Sequence, residues 1–256
     1  MLDQDSIQSR STRLKVLSPN FFLLDGSIPF VFKGSISNWK GKKIEGPGFY
    51  FSMVEPMDGN RLAMRGVSAT TSTNVLGWVS LLEDQKVTLA HNLLKSQGDG
   101  IFDTDGLLMY NSHLKRILYT HYYRNEFIVA NEALQLDYRG NTIDTVDQVN
   151  LEVINIKTKT KLATPTLLVN KSAATYGNYL YVNSQLPGRY ETSETWSKNS
   201  IIDVYDLVKD TYEFSFKIKD IGSDKLKMFL VENDHFIGLI GENLVIYKLH
   251  TYAFEG

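Results

Sequence analysis

Between Gly100 and Asp144 the chain reads GIFDTDGLLMYNSHLKRILYTHYYRNEFIVANEALQLDYRGNTID, four short runs rich in β-branched and aromatic residues with tight connections. The runs fall near Leu107–Asn111, Arg116–His121, Glu126–Asn131 and Leu136–Asp144. Asn111-Ser112 and Arg124-Asn125 between them tolerate turn geometry. One such sheet alone exposes two faces and has to pack on neighbours. The pattern therefore predicts one blade in a ring of stacked four-stranded sheets, provided that similar units recur.

They do recur. Upstream, strands are expected near Phe49–Glu55, Arg61–Val67, Val75–Leu82 and Lys86–Asn92, with Asp58-Gly59-Asn60 as the first hairpin turn. Before that, Arg13–Leu17, Asn20–Asp25, Pro29–Gly34 and a weaker run at Trp39–Ile44 form another unit. Downstream, Lys171–Tyr176, Tyr179–Ser184, Ser200–Asp206 and Tyr212–Ile218 make a fourth, interrupted by a polar insertion from Gln185 to Asn199. Leu226–Glu232, His235–Gly241 and Asn243–Leu249 give a last unit of three strands, and Thr145–Asn170 leaves room for an extra hairpin. Helix-period signals are nearly absent.

The expected fold is thus all-β, a single β-propeller domain of four-stranded antiparallel blades. About five blades are present, near residues 13–48, 49–99, 100–170, 171–220 and 221–256. A β-sandwich is the alternative, but its Greek-key crossovers need longer connections than most seen here.

Composition narrows the function classes. With 43% hydrophobic residues in 256, the chain can fill a full core, and a formal net charge of −2 lacks the basic excess that nucleic acid demands. There are no cysteines, which excludes disulfides, thiolate zinc sites and a cysteine nucleophile. The first residues, MLDQDSIQSRSTRLKV, hold neither a signal-peptide apolar region nor a membrane span. With Met1 as the true start, a cytoplasmic protein is expected.

Few residues suggest chemistry. Asp103-Thr104-Asp105-Gly106 brings two carboxylates before a glycine. On an extended segment both would share one face, as a hydrolase pair or part of a cation site requires, yet the further ligands of a calcium loop do not follow. A turn leading into a strand is the competing reading. His121-Tyr122-Tyr123-Arg124 combines an imidazole, two phenols and a guanidinium, suited to a sugar or carboxylate but equally to ordinary packing between blades. The insertion carries Arg189, Tyr190 and Trp196 on a long loop, where rigid scaffolds place recognition. The candidate binding residues are therefore Asp103, Asp105, His121, Tyr123, Arg124, Arg189, Tyr190 and Trp196. No catalytic residue is assigned, because neither a GxSxG elbow nor a phosphate-cradling glycine loop occurs. No metal or cofactor is expected, since the five histidines show no ligand spacing.

Arg124-Asn125-Glu126-Phe127, Leu136–Asp144 and Ile201–Leu207 resemble a family of bacterial six-bladed, TolB-like propellers without an established activity. Asn38-Trp39-Lys40, Val169-Asn170-Lys171-Ser172 and Tyr212–Phe216 are also similar to it. The resemblance covers nearly the whole chain. It implies a shortened member of a six-bladed type, lacking a first blade and an anchor before the point matching Arg13. It also implies a periplasmic or cell-envelope location, tethered through that missing segment, near MauE/DoxX-type redox-associated membrane proteins.

Function is expected to be that of a non-catalytic binding module, with loops on one face presented to a protein or small ligand. The alternatives are a hydrolase or lyase using carboxylates and His121 at the central channel, and an accessory domain of a redox membrane protein. Convergence of Asp103 or Asp105 with His121 and Arg189 in one pocket would favour the enzyme.

Overall fold

The computed structural model describes residues 11–26, 30–44, 50–82, 86–149, 151, 153–156, 159–162, 167–188 and 191–250. Four antiparallel four-stranded sheets follow one another, each paired strictly in chain order. They comprise β1 (Arg13–Leu17), β2 (Asn20–Asp25), β3 (Phe30–Ser35) and β4 (Lys40–Ile44), then β5 (Phe51–Pro56), β6 (Arg61–Val67), β7 (Asn74–Ser80) and β8 (Val87–Ala90). The third blade holds β9 (Gly106–Asn111), β10 (Arg116–His121), β11 (Glu126–Asn131) and β12 (Leu136–Asn141). A hairpin of β13 (Val153–Ile156) and β14 (Lys159–Leu162) separates it from β15 (Asn170–Tyr176), β16 (Tyr179–Ser184), β17 (Asn199–Asp206) and β18 (Thr211–Lys219). A short helix, α1 (Ser193–Lys198), interrupts the fourth blade between β16 and β17, and the last blade has three strands, β19 (Leu226–Glu232), β20 (His235–Ile240) and β21 (Asn243–Lys248).

Strand alternation explains how the sheets stack. In β6, Leu62 and Met64 pack toward Phe22 and Leu24 of the first blade, while Ala63 between them faces Ile117 and Tyr119 of the third. In β10, Leu118 points the other way and joins Leu180 and Val182 of the fourth blade. In β17, Ile202 and Val204 meet Val231 and Phe236 of the fifth. Both faces of the middle blades are therefore core, which is why their strands read as nearly continuous apolar runs. First strands lie side by side, β5 with β9, β9 with β15, β15 with β19, as expected of the innermost strands of a propeller. Five blades in this arrangement are consistent with a six-bladed ring lacking one blade.

Two expectations need correction. The fourth strand of the third blade ends at Asn141, not Asp144. The Asp144 carboxylate accepts from the Thr142 hydroxyl and the Val146 N–H, a side-chain turn that competes with the ladder. The insertion after Ser184 is also not loop throughout. Thr192 caps α1 by accepting from the Thr195 N–H at 3.2 Å, and Glu194 in the first turn pairs with Lys198 in the last at 2.7 Å.

Candidate functional site

The chemistry-bearing residues gather at one end of the propeller. Each first strand begins opposite the last residues of the second strand: Phe51 opposite Gly66, Gly106 opposite His121, Asn170 opposite Ser184. The loop Ser68–Thr73, the turn Tyr122–Asn125 and the insertion beginning at Gln185 consequently open on a common face. Asn170 ties the blades together there, donating from its amide to the main-chain oxygens of His121 at 2.8 Å and Arg124 at 3.1 Å.

Asp105 and Asp103 do not act as a pair. Residues 101–104 form a turn, not an extended segment, and the two carboxylates diverge. Asp105 forms an ion pair with Arg65 of β6, a residue the sequence reading did not single out. Arg65 also donates to the Tyr119 phenol at 3.0 Å and to Ser52 Oγ at 2.9 Å, and Tyr119 donates onward to the Thr104 carbonyl at 2.8 Å. Burial pushes the Tyr122 and Tyr123 phenols up, and the nearby Asp105 carboxylate adds to it. The two rings stand edge to face at 6.1 Å, both half-buried at the mouth of the joint.

Asp103 is an organiser of its own loop. Its carboxylate accepts from the N–H groups of Gly98 and Gly100 at 2.8 and 2.6 Å, from Gln97 N–H and from the Ser96 hydroxyl at 2.9 Å. Burial opposes its ionisation, but these hydrogen bonds outweigh burial and hold the group below the usual carboxylate range. An acceptor already ringed by four donors serves backbone geometry, not a cation.

His121 and Arg124 face inward as well. His121 is fully buried beside Tyr119, with ring centroids 5.3 Å apart, and Arg124 is 1% exposed. Arg124 Nη2 lies 2.8 Å from His121 Nε2, 3.0 Å from Glu126 Oε1 and 3.1 Å from the Lys95 carbonyl. A guanidinium has no lone pair, so Nε2 must accept and the imidazole proton belongs on Nδ1, which is buried without a partner. Burial, reinforced by the charge of Arg124, pushes the imidazole pKa down and keeps the ring neutral. Glu126 is the hub: it also accepts from Arg139 at 2.9 Å, and Arg139 donates to the Leu93 carbonyl at 2.6 Å. Burial would raise Glu126, but the guanidiniums of Arg124 and Arg139 beside it hold its carboxyl well below the usual range. The cluster rivets the third blade to the connection arriving from the second.

The insertion places Trp196, partly exposed, on α1. Lys225 holds that helix to the fourth-to-fifth blade connection, donating to the main-chain oxygens of Trp196 and Asn199 at 3.1 and 3.2 Å and to Asp220 at 2.7 Å. Arg189 and Tyr190 lie outside the described residues. Asp203, which carried no sequence signal beyond a carboxylate in an apolar strand, is 2% exposed and accepts from Ser215. Among the described residues no three His, Asp or Glu side chains gather as metal ligands, and no helix is long and apolar enough to cross a membrane.

No family model matches the chain, and neither does any curated protein. Likeness appears among solved structures. A chain from the crystal structure of a nidogen/laminin complex matches with a TM-score of 0.53 at 6% identity, over 91% of this chain and 73% of that one. The β-propeller domain of the trilobed protease from Pyrococcus furiosus, described as having an open velcro topology, matches at 0.49 and 10% identity, over 94% and 82%. A protein of unknown function from Bacteroides thetaiotaomicron matches at 0.43 and 10% identity, over 92% and 68%. At such identities the likeness is one of fold.

Proposed function

We propose that this propeller is a non-catalytic interaction module that presents its loop-bearing face to a protein or small-molecule ligand. The observation that carries this reading is the internal use of the polar groups on that face. Asp103, His121 and Arg124 spend their hydrogen bonds on the backbone of the joint between the second and third blades. They do not converge on a common open point where a reacting atom could sit. What the face offers outward is the Tyr122-Tyr123 pair beside Asp105 and the helix-bearing insertion with Trp196, large amphipathic side chains on a rigid support. By the sequence resemblance, the module belongs to the TolB-like propellers and works outside the cytoplasm, beside a membrane protein.

Photo-crosslinking in the native host tests this. A photoreactive residue in place of Trp196 or Tyr123 should give discrete crosslinked products, and one in place of Lys115, at the opposite end of the third blade, should not. Equal labelling from both ends, or none from either, would refute the reading.

A further inference from the structure

Where β5 and β15 enter at the loop-bearing face, each carries an extra residue, Ser52 between Phe51 and Met53 and Lys171 between Asn170 and Ser172. Such a bulge leaves the extra residue out of the ladder and re-aims its side chain. In the second blade, Ser52 accepts from Arg65, and Arg65 reaches toward the third blade. There Asp105, immediately before Gly106 at the start of β9, supplies the carboxylate that Arg65 binds. The fourth blade repeats this layout with a different outcome. Lys171 reaches toward the fifth blade and donates to the Leu226 carbonyl at 2.7 Å. The residue immediately before Leu226, in the place that Asp105 holds before Gly106, is Lys225.

Two lysines therefore meet at this joint, where the joint between the second and third blades pairs a cation with a carboxylate. Asp220 pairs with Lys225 at 2.7 Å and also accepts from the Ser200 hydroxyl. Among the described residues no carboxylate stands within ion-pair distance of Lys171, whose partner is the Leu226 carbonyl. Next to it, Ser172 lies opposite Asn183 in register, and the Ser172 hydroxyl and the Asn183 amide nitrogen are buried without a partner. Burial, and after it the charge of Lys225, push the Lys171 pKa down against the pull of Asp220. Both lysines remain reachable from solvent: Lys171 is half-buried and the Lys225 side chain is 38% exposed.

We propose that the joint between the fourth and fifth blades binds a carboxylate between Lys171 and Lys225, in the place that Asp105 fills at the joint between the second and third. The site lies on the loop-bearing face and gives the interaction module proposed above its ligand class, so it rests on that reading. Lys171 and Lys225 set against Asp220 leave a single net positive charge, which matches a monoanionic carboxylate and not a phosphate dianion. Ammonium groups bind such a group through short, charge-assisted hydrogen bonds.

Amide-correlation NMR of the whole chain tests this, with N-acetylglycine titrated from about 1 to 100 mM at constant ionic strength. The signals of Ser172, Gln185 and Leu226 should move together and saturate. The neutral N-acetylglycinamide should give no saturable shift, and inorganic phosphate should bind about threefold more weakly or worse. Lys171→Met should raise the dissociation constant about tenfold or more, with an unchanged circular dichroism spectrum. Lys171→Glu puts a carboxylate of the chain itself into the place and should abolish binding while the protein stays folded. Lys115→Met, at the opposite end of the third blade, should change nothing. Shifts that never saturate would overturn the proposal, as would equal binding of the amide or of phosphate, or an affinity that ignores both Lys171 changes. Crosslinking from Trp196 and Tyr123 without carboxylate binding would remove the ligand class and leave the interaction module standing.

Discussion

Asp203→Asn should stabilise the protein at neutral pH and lose that advantage in acid. Asp203 pairs in register with Val182 and so shares the face that packs on the third blade. Burial is the main influence on its carboxyl; repulsion from Glu191 and Asp144 adds to it, and the Ser215 hydrogen bond opposes both. The result is a group pushed up from 3.8 to about 6. The folded state therefore holds this proton more tightly than the unfolded chain. Its stabilising influence is complete below about pH 4, is lost as pH rises toward 6, and is absent above that. Ionising the group in the folded protein costs about 3 kcal/mol at neutral pH. An asparagine keeps the acceptor for Ser215 and carries no charge, but its amide brings two new donors into a buried site, at a cost of about 1 kcal/mol. The net gain at pH 7.5 is about 2 kcal/mol, or about 4–8 °C in Tm for a chain of this size. Urea or thermal unfolding of both proteins from pH 4 to pH 8 measures the difference directly. A gain that is the same at both ends of the range, or greater at pH 4, would mean that ionisation of the buried Asp203 carboxyl is not what separates the two proteins.

The rivet at the second joint makes the opposite prediction. Arg124→Met removes a guanidinium shared by Glu126, His121 and the Lys95 carbonyl and should destabilise by about 3–5 kcal/mol in urea unfolding, whereas Arg116→Ala, which breaks the half-exposed pair with Asp137, should cost under about 1 kcal/mol. Glu126→Gln should cost up to about 3 kcal/mol at pH 7, because a carboxyl lowered to about 2 stabilises the fold above its unfolded pKa. That loss should shrink as pH falls from 4.5 toward 2, which a pH series of chemical melts reads out. Gly140→Ala would put a Cβ 2.1 Å from the Phe127 ring and should lower stability by about 1–3 kcal/mol, measured by calorimetry.

Much of the architecture was legible because strand periodicity is local. Tyr179–Ser184 and Arg116–His121 lie where the apolar runs and their flanking turn residues put them. Where local competition is close, periodicity misplaces the boundary: the Asp144 side chain ends β12 early, and a cap at Thr192 starts a helix inside the polar insertion. The candidate site was less legible. Asp105 is chemically defined by Arg65, forty positions earlier, and His121 and Arg124 by the connection through Leu93 and Lys95. Nothing near Arg65 marks its role except a charge set between the buried Met64 and Gly66 of an apolar strand.

By itself, the order of residues determined that this chain is all-β, that its strands pair in sequence, and that both faces of the middle blades are core. Those properties follow from alternation, β-branched content and turn residues acting over four to eight positions. Only the tertiary structure decided what each polar side chain confronts across a joint. Alternation says which face of a sheet a residue is on but not which residues come from the neighbouring sheet, and the charge, tautomer and exposure of a group depend on those neighbours.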